Sequence, residues 1–220
     1  SWARRGVYET GNGNRVMIAW QNGWLWMPWC EDFGPTGVER WRGTLSVPRV
    51  VSLSEDDDVC LYPVSELKTL EAEAEQYCNY AVTSQKQYLY PADAKSFQIE
   101  LWIDIEKIKS RYFEIGVLGD GDKVTIVAVD LVQNVVSLDK SRGDLYGQGK
   151  MNCPIEIRTG KLKLLLLVDH STVELYIDEG RYCITSNVYP EKEQTECWIR
   201  TPYKGAIIDK LRISSLIKFW

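Results

Sequence analysis

Apolar residues recur at every second position along most of this chain, in runs of strand length. Phe97, Ile99, Leu101 and Ile103 alternate with Gln98, Glu100 and Trp102, and Phe113, Ile115 and Val117 follow the same rule. Val173, Leu175 and Ile177 alternate with Glu174 and Tyr176. Successive side chains of a strand point to opposite faces, so a period of two turns one face towards a core. Turn signals separate the runs: Gly119-Asp120-Gly121-Asp122 precedes a strand over Val124 to Val129. Leu162 to Val168 is apolar on both faces and predicts a strand covered on both sides, and Ile207, Leu211 and Ile213 fall in a last strand. Short strands at this density, with no fixed-period repeat, predict an all-β fold with a β-sandwich over residues 80–220. Its two sheets are expected to pack through Phe97, Ile99, Leu101, Ile115, Val117, Leu165, Leu167, Val173, Leu175 and Ile213.

The first 79 residues read differently. Gly11-Asn12-Gly13-Asn14 is a turn between a short segment at Val7-Tyr8 and a strand over Arg15 to Trp20. Trp20 to Trp29 is dense in aromatics, Glu31 to Glu39 is a Gly/Pro-containing loop, and Trp41 to Val51 reads as a strand interrupted by Pro48. The acidic run Ser54-Glu55-Asp56-Asp57-Asp58 reads as a solvated turn. Ser65 can cap a helix in which Leu67, Leu70 and Ala74 follow at helical spacing, in a Glu/Ala-rich stretch that ends at Gln76. Residues 53–79 are therefore expected to be a linker with a short helix.

Charge and composition narrow the function. The 26 Lys and Arg face 31 Asp and Glu, a net charge of -5, and no basic cluster is present. That balance argues against nucleic-acid binding, which needs clustered cations on phosphates. The longest aliphatic block, Leu164 to Val168, is far short of the roughly 18–20 residues of a membrane span, so no membrane partner is expected. A single histidine, His170, excludes a His-rich metal site, and the absence of any C-x-x-C pair excludes a zinc ribbon; no metal or cofactor is expected. The six cysteines permit three disulfides, but their wide spacing suits buried reduced thiols. With no N-x-S/T sequon and no apolar segment in SWARRGVYETG, the location leans towards the cytoplasm rather than secretion.

Several segments, in this order, resemble glycoside hydrolase family 32, the β-fructosidases: invertases, levanases, inulinases and sucrose-6-phosphate hydrolases. They are Arg15-Val16-Met17-Ile18-Ala19-Trp20-Gln21-Asn22-Gly23-Trp24, Trp41-Arg42-Gly43-Thr44-Leu45-Ser46-Val47-Pro48-Arg49 and Leu167-Val168-Asp169-His170-Ser171-Thr172-Val173-Glu174-Leu175-Tyr176. Leu138-Asp139-Lys140-Ser141-Arg142 and the inter-domain Pro63-Val64-Ser65-Glu66-Leu67 match as well. The family fold is a five-bladed β-propeller followed by a β-sandwich. The resemblance therefore implies that residues 1–52 are the last strands of the final propeller blade, that 53–79 is the linker and that 80–220 is the C-terminal sandwich.

The resemblance also implies what is missing. A retaining glycosidase works with two carboxyl groups about 5–5.5 Å apart, one nucleophile and one acid/base. In this family the nucleophile Asp lies in an N-D-P-N-G motif, and an R-D-P Asp and the acid/base Glu of an E-C motif follow, all upstream of the segment seen here. The first two do not occur here, and Glu196-Cys197 stands after the sandwich motif, in the wrong order. No catalytic residue is assigned, and the chain alone is expected to be inactive. Its expected partners are the N-terminal propeller part of the same enzyme and a sucrose or fructan substrate, with a homo-oligomer through the sandwich allowed for. Trp20 corresponds to a tryptophan near the family's fructose pocket, with Asn22 and Trp24 as further substrate-binding candidates; Trp24 equally suits a blade core. His170 stands where the family has arginine and reads as a turn residue. Asp169, Ser171 and Glu174 read as turn and cross-strand partners, and Asp104 and Glu106 as solvated surface. The rival reading is a free-standing carbohydrate-binding β-sandwich. It leaves the blade strands, with their open edges, without a purpose. A third is a catalytically dead family member used for assembly.

Overall fold

The computed structural model describes residues 6–9, 13–21, 40, 43–91, 93–143 and 149–217. The N-terminal part is an antiparallel sheet of β1 (Gly6–Glu9), β2 (Arg15–Ile18), β3 (Arg49–Leu53) and β4 (Val59–Pro63), in that spatial order. β1 and β2 pair antiparallel with Glu9 opposite Arg15, and Gly13 takes a φ of 81°; Gly11 and Asn12 of the expected turn lie outside the described residues. Pro48 sets where β3 begins: a proline has no N–H for the ladder, and pairing with β4 starts at Arg49. Upstream of it, among the described residues, only the Trp20–Leu45 bridge joins these segments as strand. Of the strand expected over Trp41 to Val51, residues 43–47 are irregular apart from that bridge, and β3 extends beyond Val51 to Leu53.

A short 3-10 helix, Ser65–Leu70, leads into the sandwich. Its strands are β5 (Glu71–Val82), β6 (Gln87–Tyr88), β7 (Phe97–Asp104), β8 (Tyr112–Asp120), β9 (Lys123–Asp130), β10 (Val135–Asp139), β11 (Lys150–Pro154), β12 (Lys161–Asp169), β13 (Thr172–Ile177), β14 (Tyr182–Asn187), β15 (Glu196–Arg200) and β16 (Ala206–Leu216). One sheet runs β11-β10-β9-β8-β15-β6 and the other β14-β13-β12-β7-β16-β5. Every pairing described is antiparallel. The all-β architecture read from the alternation is the architecture found.

The core sits between these sheets. Phe97, Ile99, Leu101, Ile115, Val117, Val173, Leu175 and Ile213 all lie in it, joined by Leu164, Leu166 and Val168 of β12. Leu165 and Leu167 do not. They project from the other face of β12 and pack with Tyr176 against Val47, Tyr62, Leu67 and Cys183. The continuous aliphatic run of β12 thus serves the sandwich core with one face and the N-terminal sheet with the other.

The linker expectation over 53–79 needs correction. Residues 54–58 are the tight connection of the β3–β4 hairpin, closed by the Ser54 amide on the Asp58 carbonyl, with Ser54 Oγ accepting the Asp56 and Asp58 amides. The helix ends at Leu70, and Glu71 to Gln76 belong to β5, so the first sandwich strand begins nine residues before 80. Glu and Ala favour helix locally, but pairing with β16 along the whole strand overrides that preference. β5 is an edge strand, and Glu73 and Glu75 stand exposed along it, which discourages pairing with another chain.

On the outward face of the β8–β15 pair, the indole of the buried Trp198 lies flat over Gly116. A Cβ there would fall 2.2 Å from the ring. Gly116→Ala is expected to destabilise the chain by about 1–3 kcal/mol through overpacking. Chemical denaturation checks this, and a midpoint equal to that of the parent would show that the ring moves aside freely.

Candidate functional site at the junction of the two β units

Glu174 lies in an apolar strand between Val173 and Leu175, both turned into the core, so its own side chain points the other way, towards the N-terminal sheet. It is 1% exposed. One carboxylate oxygen, Oε1, accepts the Val47 amide at 2.7 Å and Gln21 Nε2 at 3.0 Å. The other, Oε2, accepts Arg49 Nη2 at 2.6 Å and the Tyr176 hydroxyl at 2.5 Å. A carboxylate has about four lone-pair sites, and all are filled. Arg49 is equally enclosed: its Nε donates to the Tyr176 oxygen at 2.9 Å and its Nη2 also to Thr185 Oγ1 at 2.5 Å. Burial first, then the Glu174 carboxylate, push the Tyr176 phenol far up, so it stays protonated and keeps donating. Next to this cluster, Asn187 Nδ2 donates to Thr44 Oγ1 and Gln21 Oε1.

Two further contacts tie the units. The Leu61 amide donates to the Gly180 carbonyl at 2.9 Å, and the Cys183 thiol approaches the Leu61 carbonyl at 3.2 Å. Gly180 has a φ of 86°, and a Cβ on it would fall 2.2 Å from the Leu61 oxygen. At the rim, Arg158 bridges Asp56 at 2.6 Å and Asp58 at 3.0 Å, and Arg181 reaches the same two carboxylates at 3.2 and 3.1 Å. The acidic run is the exposed turn expected, and Asp56 and Asp58 within it are also the acidic half of an ion-pair cluster. Hydrogen bonding from Arg158 holds the Asp56 carboxyl below its ordinary range.

The residues singled out in the sequence fall unevenly around this site. Trp20 bridges to Leu45 with its side chain 36% exposed, immediately before the Gln21 that Glu174 and Asn187 grip. Asn22 and Trp24 lie outside the described residues. Glu174, read as a cross-strand partner in a hairpin, is instead the centre of the junction. His170 sits exposed in the β12–β13 turn with its Nδ1 3.1 Å from Asp169 Oδ1. Lys107 holds Asp104 below the usual carboxylate range, the opposite of what a general acid needs. Cys197 faces the sandwich core, its thiol pushed up by burial, while Glu196 faces outwards. Among the described residues no three His, Cys, Asp or Glu come together to hold a metal, and no helix is long and apolar enough to cross a membrane. Arg49, Gln21 and Asn187 were missed as site residues. The available signal was a lone arginine and a lone glutamate, each in an apolar strand, which burial forces into a pair.

Residues 66–215 match the family described as Glycosyl hydrolases family 32 C terminal. The chain belongs to this family. It is 27% identical over 194 residues to the sucrose-6-phosphate hydrolase of Zymomonas mobilis, covering 84% of this chain and 36% of that protein. It is 23% identical over 219 residues to the levanase of Bacillus subtilis, covering 95% and 32%. Its fold is that of the exo-inulinase of Aspergillus awamori, with a TM-score of 0.79 at 18% identity over 94% of this chain and 41% of that one. The family 32 chain thus spans about a third of the length of these relatives, and it corresponds to their C-terminal part.

The junction makes two measurable claims. Glu174→Ala strands a buried Arg49 and is expected to cost about 3–5 kcal/mol, whereas Glu174→Gln, which keeps the shape and one of the two acceptor oxygens, costs less; denaturant midpoints of the two variants check the order. Asp56 has a lowered folded pKa, so its contribution is complete above its unfolded value of 3.8 and is lost as pH falls through the folded one. The melting-temperature gap between the parent and Asp56→Asn is therefore expected at neutral pH and should close below the ordinary aspartate range.

Proposed function

We propose that this chain is the non-catalytic C-terminal part of a retaining β-fructosidase that hydrolyses β-fructofuranosyl bonds of sucrose or a fructan. On this reading the nucleophile and the acid/base come from an N-terminal propeller part, because neither upstream motif of the family stands in this sequence. No metal or cofactor takes part. The observation that carries the reading is the filled Glu174 carboxylate, which fastens Val47, Arg49 and Gln21 of the N-terminal sheet to the sandwich. A blade-like sheet anchored so firmly suits a unit that completes and braces a larger propeller. Trp20, and with it Asn22 and Trp24, would then border the fructose pocket, their strand steadied through Gln21. A cytoplasmic location goes with the reading of reduced thiols.

The second reading, a carbohydrate-binding sandwich without chemistry, is favoured by one observation: a pair of exposed tyrosines, Tyr88 and Tyr90, on the outer face of the sandwich. The two readings are compatible if the sandwich both braces and binds.

Two outcomes are expected. The purified 220-residue chain releases no fructose from sucrose above a boiled control, and measurable release would remove the non-catalytic reading. In the enzyme completed with a family propeller part, Trp20→Phe lowers kcat/KM by 10–100-fold, roughly 1.4–2.7 kcal/mol. Unchanged kinetics beside a lowered melting temperature would leave Trp20 a purely structural role.

A further inference from the structure

Away from the junction, at the far edge of the sheet that contains β6, a pair of exposed tyrosines stands beside a groove. Tyr88 pairs with Trp198 across β6 and β15, and Leu89 turns into the core, so Tyr88 and Tyr90 both face outwards. Their rings lie near-parallel, 27° apart with centroids separated by 6.5 Å, and they are 42% and 77% exposed. They border a groove of about 410 Å³ that Pro91, Ala94, Thr195 and Glu196 complete. Glu196 on its wall is ion-paired through its buried Oε2 with Lys86 Nζ at 3.7 Å, so the pair leaves no free charge on this wall. Trp198 is 1% exposed, seated on Gly116 and covered by Lys86 and Arg200 at 5.0 and 5.1 Å from its ring.

We propose that this groove is a binding subsite for a neutral fructan oligosaccharide, held by the Tyr88 and Tyr90 rings. Flat aromatic faces take the C–H faces of sugars, and each phenol adds a polar tip at the wet edge. Lys86, the cation beside the groove, is already engaged by Glu196, which disfavours phosphorylated or acidic ligands. The volume lies within the usual range for small-ligand sites, about 300–1,000 Å³. The choice of a fructan rests on the proposed function, whereas the choice of a neutral sugar rests on the groove alone.

The test is calorimetric titration of the 220-residue chain with levan and inulin oligosaccharides. Binding is expected for at least one, weakened about tenfold, near 1.4 kcal/mol, by Tyr88→Ala or Tyr90→Ala, and retained in Tyr90→Phe. Because both tyrosines are exposed, melting temperatures should not change. Absence of binding to either sugar, or equal binding by the alanine variants, overturns the subsite. Fructose release by the completed enzyme is measured in parallel and bears only on the proposed function. Loss of one result with retention of the other therefore identifies which reading failed.

Discussion

A carboxylate removed from water must find partners for every lone pair or lose its charge, and Glu174 finds them in residues far away in sequence. Three of its four partners belong to the segment that forms the N-terminal sheet, and only Tyr176 comes from its own strand. The geometry therefore cannot exist in the isolated sandwich. Without Val47, Arg49 and Gln21, β13 would present a bare carboxylate next to Leu165 and Leu167, on an apolar face with nothing over it. The orientation of the N-terminal sheet follows from satisfying that one group.

The junction uses charge in two different settings. Arg49 and Glu174 are enclosed, so their attraction is weakly screened and breaking one partner is costly, while the intact pair adds less than its short distance suggests. Asp56, Asp58, Arg158 and Arg181 form a shared cluster at the solvent rim, where each pair alone contributes little. The enclosed pair sets a unique register between the sheets. The rim cluster is the component that salt and acid can reach.

Much of this was legible in the sequence, for identifiable reasons. Alternation at Phe97 to Ile103 and Val173 to Ile177 gave strand and face together, and the two-sided run of β12 announced a strand covered twice. What it could not give was the identity of the second cover, which is why Leu165 and Leu167 were assigned to the wrong interface. Residues 71–76 misled because Glu and Ala report a local preference, whereas an edge strand is decided by a partner some 140 residues later. The acidic run is the exposed turn that its composition indicates; what composition could not show is that Arg158 and Arg181, far along the chain, pair with it. Trp20 was singled out by resemblance, but Gln21, its gripped neighbour, carries no signal in composition or spacing.

The Gly180 contact has a mechanical consequence. A backbone carbonyl and a backbone amide meet there with no room for even a methyl group, while the packed faces of Leu165, Leu167 and Tyr62 interlock alongside. Surfaces in such close register resist lateral slip, because any sliding drives Leu61 into the turn that contains Gly180. They offer no comparable resistance to being drawn straight apart once the buried pair is broken. The two units are therefore stiff in shear and brittle in tension. Any relative motion between them would be a complete parting and not a graded hinge.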